Sequence, residues 1–243
     1  MKVTTMKTLK SGILAILILA LEQNGQAQGF VNLNFESAKI VPVSGDPYGR
    51  VESASAFPGW TCYTGTTVET LALYDNLFLD SSGIGIVDNN SSFGLIQGQY
   101  TAMLEAGLAL GTSQPANTTL SQTAVVPAGT QSLLFDAIPE GDANSFAVTL
   151  NGQTLSLILL SSASGYDVYG ADIQSWANQT ATLSFTVFAQ QPHVDNNILY
   201  LDDIQFSTSS VPEPSILGLS ALGGLFLAWR CWSRKTSGEL HHC

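Results

Sequence analysis

Ser145-Phe-Ala-Val-Thr-Leu150, then Asn151-Gly152, then Gln153-Thr-Leu-Ser-Leu-Ile-Leu159, is the stretch on which the fold turns. Asn-Gly offers two residues that accept positive φ, as a two-residue hairpin turn requires. The flanking runs are rich in Val, Leu, Ile, Phe and Thr, types that fit a pleated, half-buried surface. Two antiparallel strands, 145–150 and 153–159, are therefore predicted. Segments of the same kind recur on both sides, punctuated by Gly, Pro, Asn and Asp: 31–36, 59–63, 68–73, 93–96, 100–105, 119–125, 131–137, 166–171, 181–189 and 198–207. Outside the two termini no stretch has helical period and useful length, apart from one turn around 172–177. Many short strands without crossover helices predict an all-β fold, a two-sheet antiparallel β-sandwich over residues 28–210.

Composition restricts what such a body can meet. The chain is 45% hydrophobic and 11% charged, with a formal net charge of −11. Between Gln28 and Ser210 the cations are Lys39 and Arg50 alone, facing sixteen carboxylates. A surface that acidic repels phosphate backbones, which excludes nucleic acid as a partner. Of three cysteines, only Cys62 lies in this stretch, so it offers no intramolecular disulfide. With Trp60 and Tyr63 beside it, Cys62 reads as a packed thiol.

The ends read as addresses. Lys2, Lys7 and Lys10 precede the uncharged run Gly12-Ile-Leu-Ala-Ile-Leu-Ile-Leu-Ala-Leu21, and Gly25-Gln26-Ala27 supplies the small residues of a cleavage site. Residues 1–27 are thus expected to be a signal peptide, cut before Gln28. At the other end, Val211-Pro212-Glu213-Pro214-Ser215 opens a second apolar run, Ile216 to Trp229, closed by Arg230, Arg234 and Lys235. The prolines separate it from any preceding strand, and the run suits a transmembrane helix at about 215–232 with its cations on the cytoplasmic side. Pro212, Glu213 and Pro214, the hydrophobic run and the basic cluster, in that order over 211–243, resemble the bacterial PEP-CTERM sorting signal. That resemblance implies an exosortase-type partner that reads Pro-Glu-Pro, and delivery to the cell surface or extracellular matrix, with membrane anchoring until the tail is processed.

Asn32-Leu-Asn-Phe-Glu36, Pro58-Gly59-Trp60 and the final Leu199-Tyr-Leu-Asp-Asp-Ile204 resemble the galactose-binding-like jelly rolls, a group that includes many carbohydrate-binding modules. In the last strand Ile198, Tyr200, Asp202, Ile204 and Phe206 share one face by the period of two. Four large apolar neighbours make that face the buried one, so Asp202 points where a lone carboxylate is costly, and Asp203 points out. The family resemblance implies a structural Ca2+ where the first and last strands meet, held by Glu36, Asp202 and nearby backbone carbonyls. Such a hard cation prefers several oxygen ligands. The residues alone leave a second arrangement open, with Asp202 bonded to backbone amides of a neighbouring turn and Glu36 solvated.

Signals for catalysis are weak. His193 is the only histidine outside the C-terminal tail, and no Gly-x-Ser-x-Gly elbow accompanies it. Glu105 lies in a strand whose alternation leaves its direction open. For a sugar platform, where aromatic faces stack on pyranose CH groups and polar neighbours bond hydroxyls, the candidates are Tyr166, Asp167, Tyr169 and Asn144; Trp60 and Trp176 read as core plugs. The expectation is an exported, non-catalytic surface or matrix protein that binds polysaccharide. The alternatives are an exported glycan-processing enzyme and a purely structural matrix component.

Overall fold

Asn151 and Gly152 take φ of 49° and 76°, and across them Thr149 faces Thr154 and Leu150 faces Gln153. The hairpin forms as the sequence requires, but its second arm is shorter than predicted. Gln153–Thr154 belongs to one sheet, whereas Ile158–Ser162 pairs in the other. Leu155 explains the break: its amide still bonds to Val148 and its side chain is buried in the core, after which the chain crosses between sheets.

The structure, a computed structural model, describes residues 29–142, 145–162, 165–190 and 196–211. The expected signal peptide 1–27, Asn144, His193 and the tail from Pro212 onward, including Glu213, Pro214, Arg230, Arg234, Lys235 and the helix at about 215–232, lie outside the described residues. Among the described residues no helix is long and apolar enough to cross a membrane.

Two sheets face each other. The six-stranded sheet runs Gln153–Thr154, Phe146–Leu150, Thr180–Val187, Thr118–Val125, Thr61–Thr64, Thr67–Val68. The larger one runs Val51–Glu52, Leu71–Tyr74, Gly83–Asp88, Tyr100–Leu108, Asn197–Ser207, Ser132–Glu140, Asp167–Asp172, Ile158–Ser162, with Pro115–Ala116 paired beside Tyr100–Leu108. Pairing is antiparallel throughout these sheets except between Leu71–Tyr74 and Gly83–Asp88, which run parallel. Alternation puts Leu120, Val148, Leu183, Phe185 and Val187 of one sheet against Leu104, Leu133, Phe135, Leu199 and Leu201 of the other, all of them buried. Phe135 meets Phe185 edge-on, 5.2 Å between ring centroids, and ties the layers together. Trp60 is the plug expected of it, 6% exposed, its indole N–H donating to the Asn32 carbonyl at 3.0 Å. Cys62 is buried, and burial pushes its thiol up to about 12.

A second apolar layer lies on the far side of the larger sheet. Leu73, Val87, Met103, Ile198 and Tyr200 point away from the main core and are covered by Leu77, Phe78, Phe93 and Ile96. The expected strand 93–96 is therefore a covering segment, and the strand beneath it, Gly83–Asp88, escaped sequence reading. Its glycines look like breakers, yet a Cβ on Gly85 would collide with Met103. The expected strand 31–36 is a turn, with Asn32 and Phe35 at φ of 50° and 56°. It still meets the last strand, where the Ile204 amide donates to the Leu33 carbonyl at 2.9 Å and Phe30 stacks on Phe206.

The last strand also corrects the single-face reading. Ile198 and Tyr200 lie in the outer layer, while Ile204 joins the main core and Phe206 packs against it. A bulge between Asp202 and Gln205 shifts the register, with Asp203 at φ 44°, and exchanges the two faces for the residues that follow.

Candidate functional site

Where the chain changes sheets it leaves a groove at one end of the sandwich. Gln153, Thr154 and Ser156 line one side, and Asp172, Gln174, Ser175 and Trp176 line the other, with Ser210 and Val211 at the rim; its volume is about 940 Å3. A short 3-10 turn, Gln174–Trp176, presents the indole. The Asp172 carboxylate accepts the Gln174 amide at 2.9 Å, and the Trp176 amide donates to the Ile173 carbonyl at 2.9 Å. Ile173 is buried and anchors the turn. Trp176 packs partly against the core and partly borders the groove, so it is more than the plug its position suggested. Asp172, Gln174, Gln153, Thr154 and Ser175 are exposed around it. An aromatic surface ringed by amides, hydroxyls and one carboxylate is the chemistry that sugars require. No local pattern marks it, because the two walls are joined only by the crossing at 155–157.

The four residues proposed from sequence separate. Tyr166 and Asp167 share a depression of about 260 Å3 with Ile138 and Pro139. Tyr169 lies opposite Phe135 in the register and stacks on it, 5.5 Å between centroids with the planes 17° apart. Its other contact is edge-on with Phe146. Burial raises its phenol above the usual range, and its hydroxyl donates to Asp167 at 3.4 Å. Its half-buried ring is packed against the core, because alternation turns it inward. Asn144 is outside the described residues.

Glu36 and Asp202 hold one segment between them. Glu36 Oε1 accepts the amides of Gln99 at 2.8 Å and Tyr100 at 3.1 Å. Asp202 is 1% exposed; its Oδ2 accepts the Gln97 amide at 3.3 Å and the Thr101 hydroxyl at 3.0 Å, and its Oδ1 accepts the Asp203 amide at 2.8 Å. Asp136, opposite it across the ladder, accepts the Gln97 side-chain amide. Burial pushes Asp202 up to about 7 and raises Asp136. A calcium site needs oxygens converging on one point, whereas the groups converging on Asp202 are N–H and O–H donors. In this geometry the pair does not fit the ion; the carboxylates clamp 97–101 directly.

Glu105, left open by the sequence, faces the outer layer and is 2% exposed. Its Oε2 accepts the Phe78 amide at 2.9 Å and its Oε1 the Asn196 side-chain amide at 2.6 Å. Burial pushes it up to about 7. Burial thus raises both Asp202 and Glu105 to about 7, and both carboxyls are sealed from solvent.

Residues 210–235 match the model of the PEP-CTERM protein-sorting motif. The chain carries this motif, which marks an exported protein sorted to the cell surface. No characterised protein matches the chain in a sequence search. Among solved structures it is similar to the module TmCBM61 in complex with β-1,4-galactotriose (14% identity, 73% of this chain and 95% of that one covered, TM-score 0.42). It is also similar to the K2 cleaved adhesin domain of Lys-gingipain (16%, 72% and 96%, 0.38). A third is the enzymatically active domain of tailspike protein 4 of bacteriophage CBA120 (13%, 60% and 19%, 0.34).

Proposed function

We propose that the protein is a non-catalytic surface or matrix protein that binds extracellular polysaccharide in the Trp176 groove. Its tail is read by exosortase-type machinery at Pro212, Glu213 and Pro214, and a helix at about 215–232 anchors it in the membrane until it is processed. The observation that carries the reading is the groove: a partly buried indole, about 940 Å3 of open space, and exposed Asp172, Gln174 and Gln153 within it. The sorting motif at 210–235 supports a destination where polysaccharide is the available partner. The sealing of Glu105 and Asp202, 2% and 1% exposed, supports binding over turnover.

A glycan array probed with the exported protein tests this. Binding to a set of polysaccharides without release of shorter products is expected, and Trp176→Ala should weaken it about fivefold or more in a protein that still folds, since stacking on an indole supplies about 1 kcal/mol or more. Absence of binding to every glycan leaves the purely structural role, and product release indicates the glycan-processing enzyme. Binding unchanged in Trp176→Ala moves the site away from this groove.

A further inference from the structure

Under the covering segment 75–82, the side-chain nitrogen of Asn196 faces three oxygens at once: Glu105 Oε1 at 2.6 Å, the Phe78 carbonyl at 2.9 Å and the Ser81 carbonyl at 3.4 Å. An amide nitrogen has two hydrogens, so one acceptor is in surplus. The other end of the same amide has the opposite defect. Asn196 Oδ1 is buried and accepts no hydrogen bond among the described residues, and it sits where a Cβ on Gly107 would meet both it and the Asp80 carbonyl. Glu105 itself is a buried carboxylate whose bonds here come from neutral amides, and the ion pair found among the described residues, Arg50 with Asp46, is elsewhere. Surplus oxygens at one end of an amide and an orphaned oxygen at the other describe a place built for positive charge.

We propose that Glu105, Asn196 and the carbonyls of Phe78 and Ser81 form a calcium site, distinct from the Glu36 and Asp202 pair. A half-turn about χ2 brings Asn196 Oδ1 to the three oxygens, and its NH2 to the side on which the Asp80 carbonyl lies. Four oxygens then converge: one carboxylate, one amide and two backbone carbonyls, the hard donors that calcium takes, with water completing a shell of six to eight. After the half-turn Oδ1 would stand where the nitrogen now is, 2.6 to 3.4 Å from the three oxygens, and oxygens about 2.4 Å from one ion stand roughly 3 Å from each other. A single carboxylate makes a weak site, in the range of about 0.1 to 1 mM that extracellular modules use. The ion would join segment 75–82, the strand Tyr100–Leu108 and the start of the last strand, so its binding would close the outer layer.

The test is a calcium titration of the chelator-stripped exported protein, read by calorimetry and by melting temperature. Wild type should bind with a Kd near 0.1 to 1 mM and melt a few degrees higher when saturated. Glu105→Gln, nearly isosteric, should lose the response, while Asp202→Asn should keep it. Asn196→Asp adds a second carboxylate and should bind at least tenfold more tightly, while melting lower than wild type in chelator. No response in wild type overturns the proposal, as does a full response in Glu105→Gln. If Glu105→Gln does not fold, Asn196→Asp decides: affinity unchanged or weakened overturns the site. A response that Asp202→Asn abolishes and Glu105→Gln retains assigns the ion to the terminal strands and overturns this assignment too.

Discussion

Asp202 shows how a single side chain can be placed correctly by the sequence while its partners stay hidden. The period of two put it on a buried face, and it is 1% exposed. What the period could not convey is that the amide of Gln97, just after the covering stretch, and the hydroxyl of Thr101, on the neighbouring strand, supply its donors. The contact is tertiary and has no local signature. Burial leaves the carboxyl near 7, well above about 3.9 for an unfolded chain. The folded state therefore holds this proton more tightly, and the stability linked to it is full below about pH 4 and lost as pH rises to about 7. In chelator, the melting temperature should fall by several degrees from pH 5 to pH 8, and Asp202→Asn should lessen that slope, the remainder coming from Glu105, which burial raises in the same way. A level wild-type profile, or a slope unaltered by the substitution, contradicts the burial argument. Trp176 packs against the core as the plug reading had it, and the groove beside it shows only once the opposite wall is known.

Among elements, the last strand determines most. Before the bulge, Leu199 and Leu201 fill the inter-sheet core; after it, Ile204 does. Asp203, at φ 44°, makes the exchange possible because Asp tolerates the left-handed region better than branched residues do. Asp203→Val should cost about 2 kcal/mol and Asp203→Gly should be close to neutral, as measured by urea unfolding. Equal costs would mean that the bulge is maintained without regard to this dihedral. Element by element, the hairpin at Asn151-Gly152 was legible because turn chemistry is local, the strands 119–125 and 181–189 because their burial alternates, and 131–137 and 198–207 because they are dense in Leu, Ile, Phe and Tyr. Gly83–Asp88 was not, since all six of its residues are buried and two are glycines whose missing side chains make room for Leu73 and Met103. The arm 153–159 was overextended because an apolar run does not reveal which sheet it joins.

At the scale of the whole molecule, the two sheets are expected to unfold as one body, because the Phe135 and Phe185 rings bridge them. Phe135→Ala removes a fully buried ring that also supports Tyr169 and Phe146, and should cost about 3 to 5 kcal/mol. Near- and far-ultraviolet circular dichroism should still report one coincident transition; separate midpoints would show that the sheets unfold independently. The strand that leads to the sorting motif lies inside the larger sheet, with Tyr100–Leu108 on one side and Ser132–Glu140 on the other. Its exit is fastened as well: Gln131 donates to the Ser207 and Thr208 carbonyls, and the Ser132 hydroxyl to the Ser209 carbonyl. Tension drawn through Val211 therefore runs along that strand and loads first the ladder with Ser132–Glu140, which reaches Ser207, and beyond it the ladder with Tyr100–Leu108, which begins at Leu201. An edge strand pulled from its end would peel one bond at a time. A strand held on both sides in this way can carry load toward the sorting motif without unravelling from its own end.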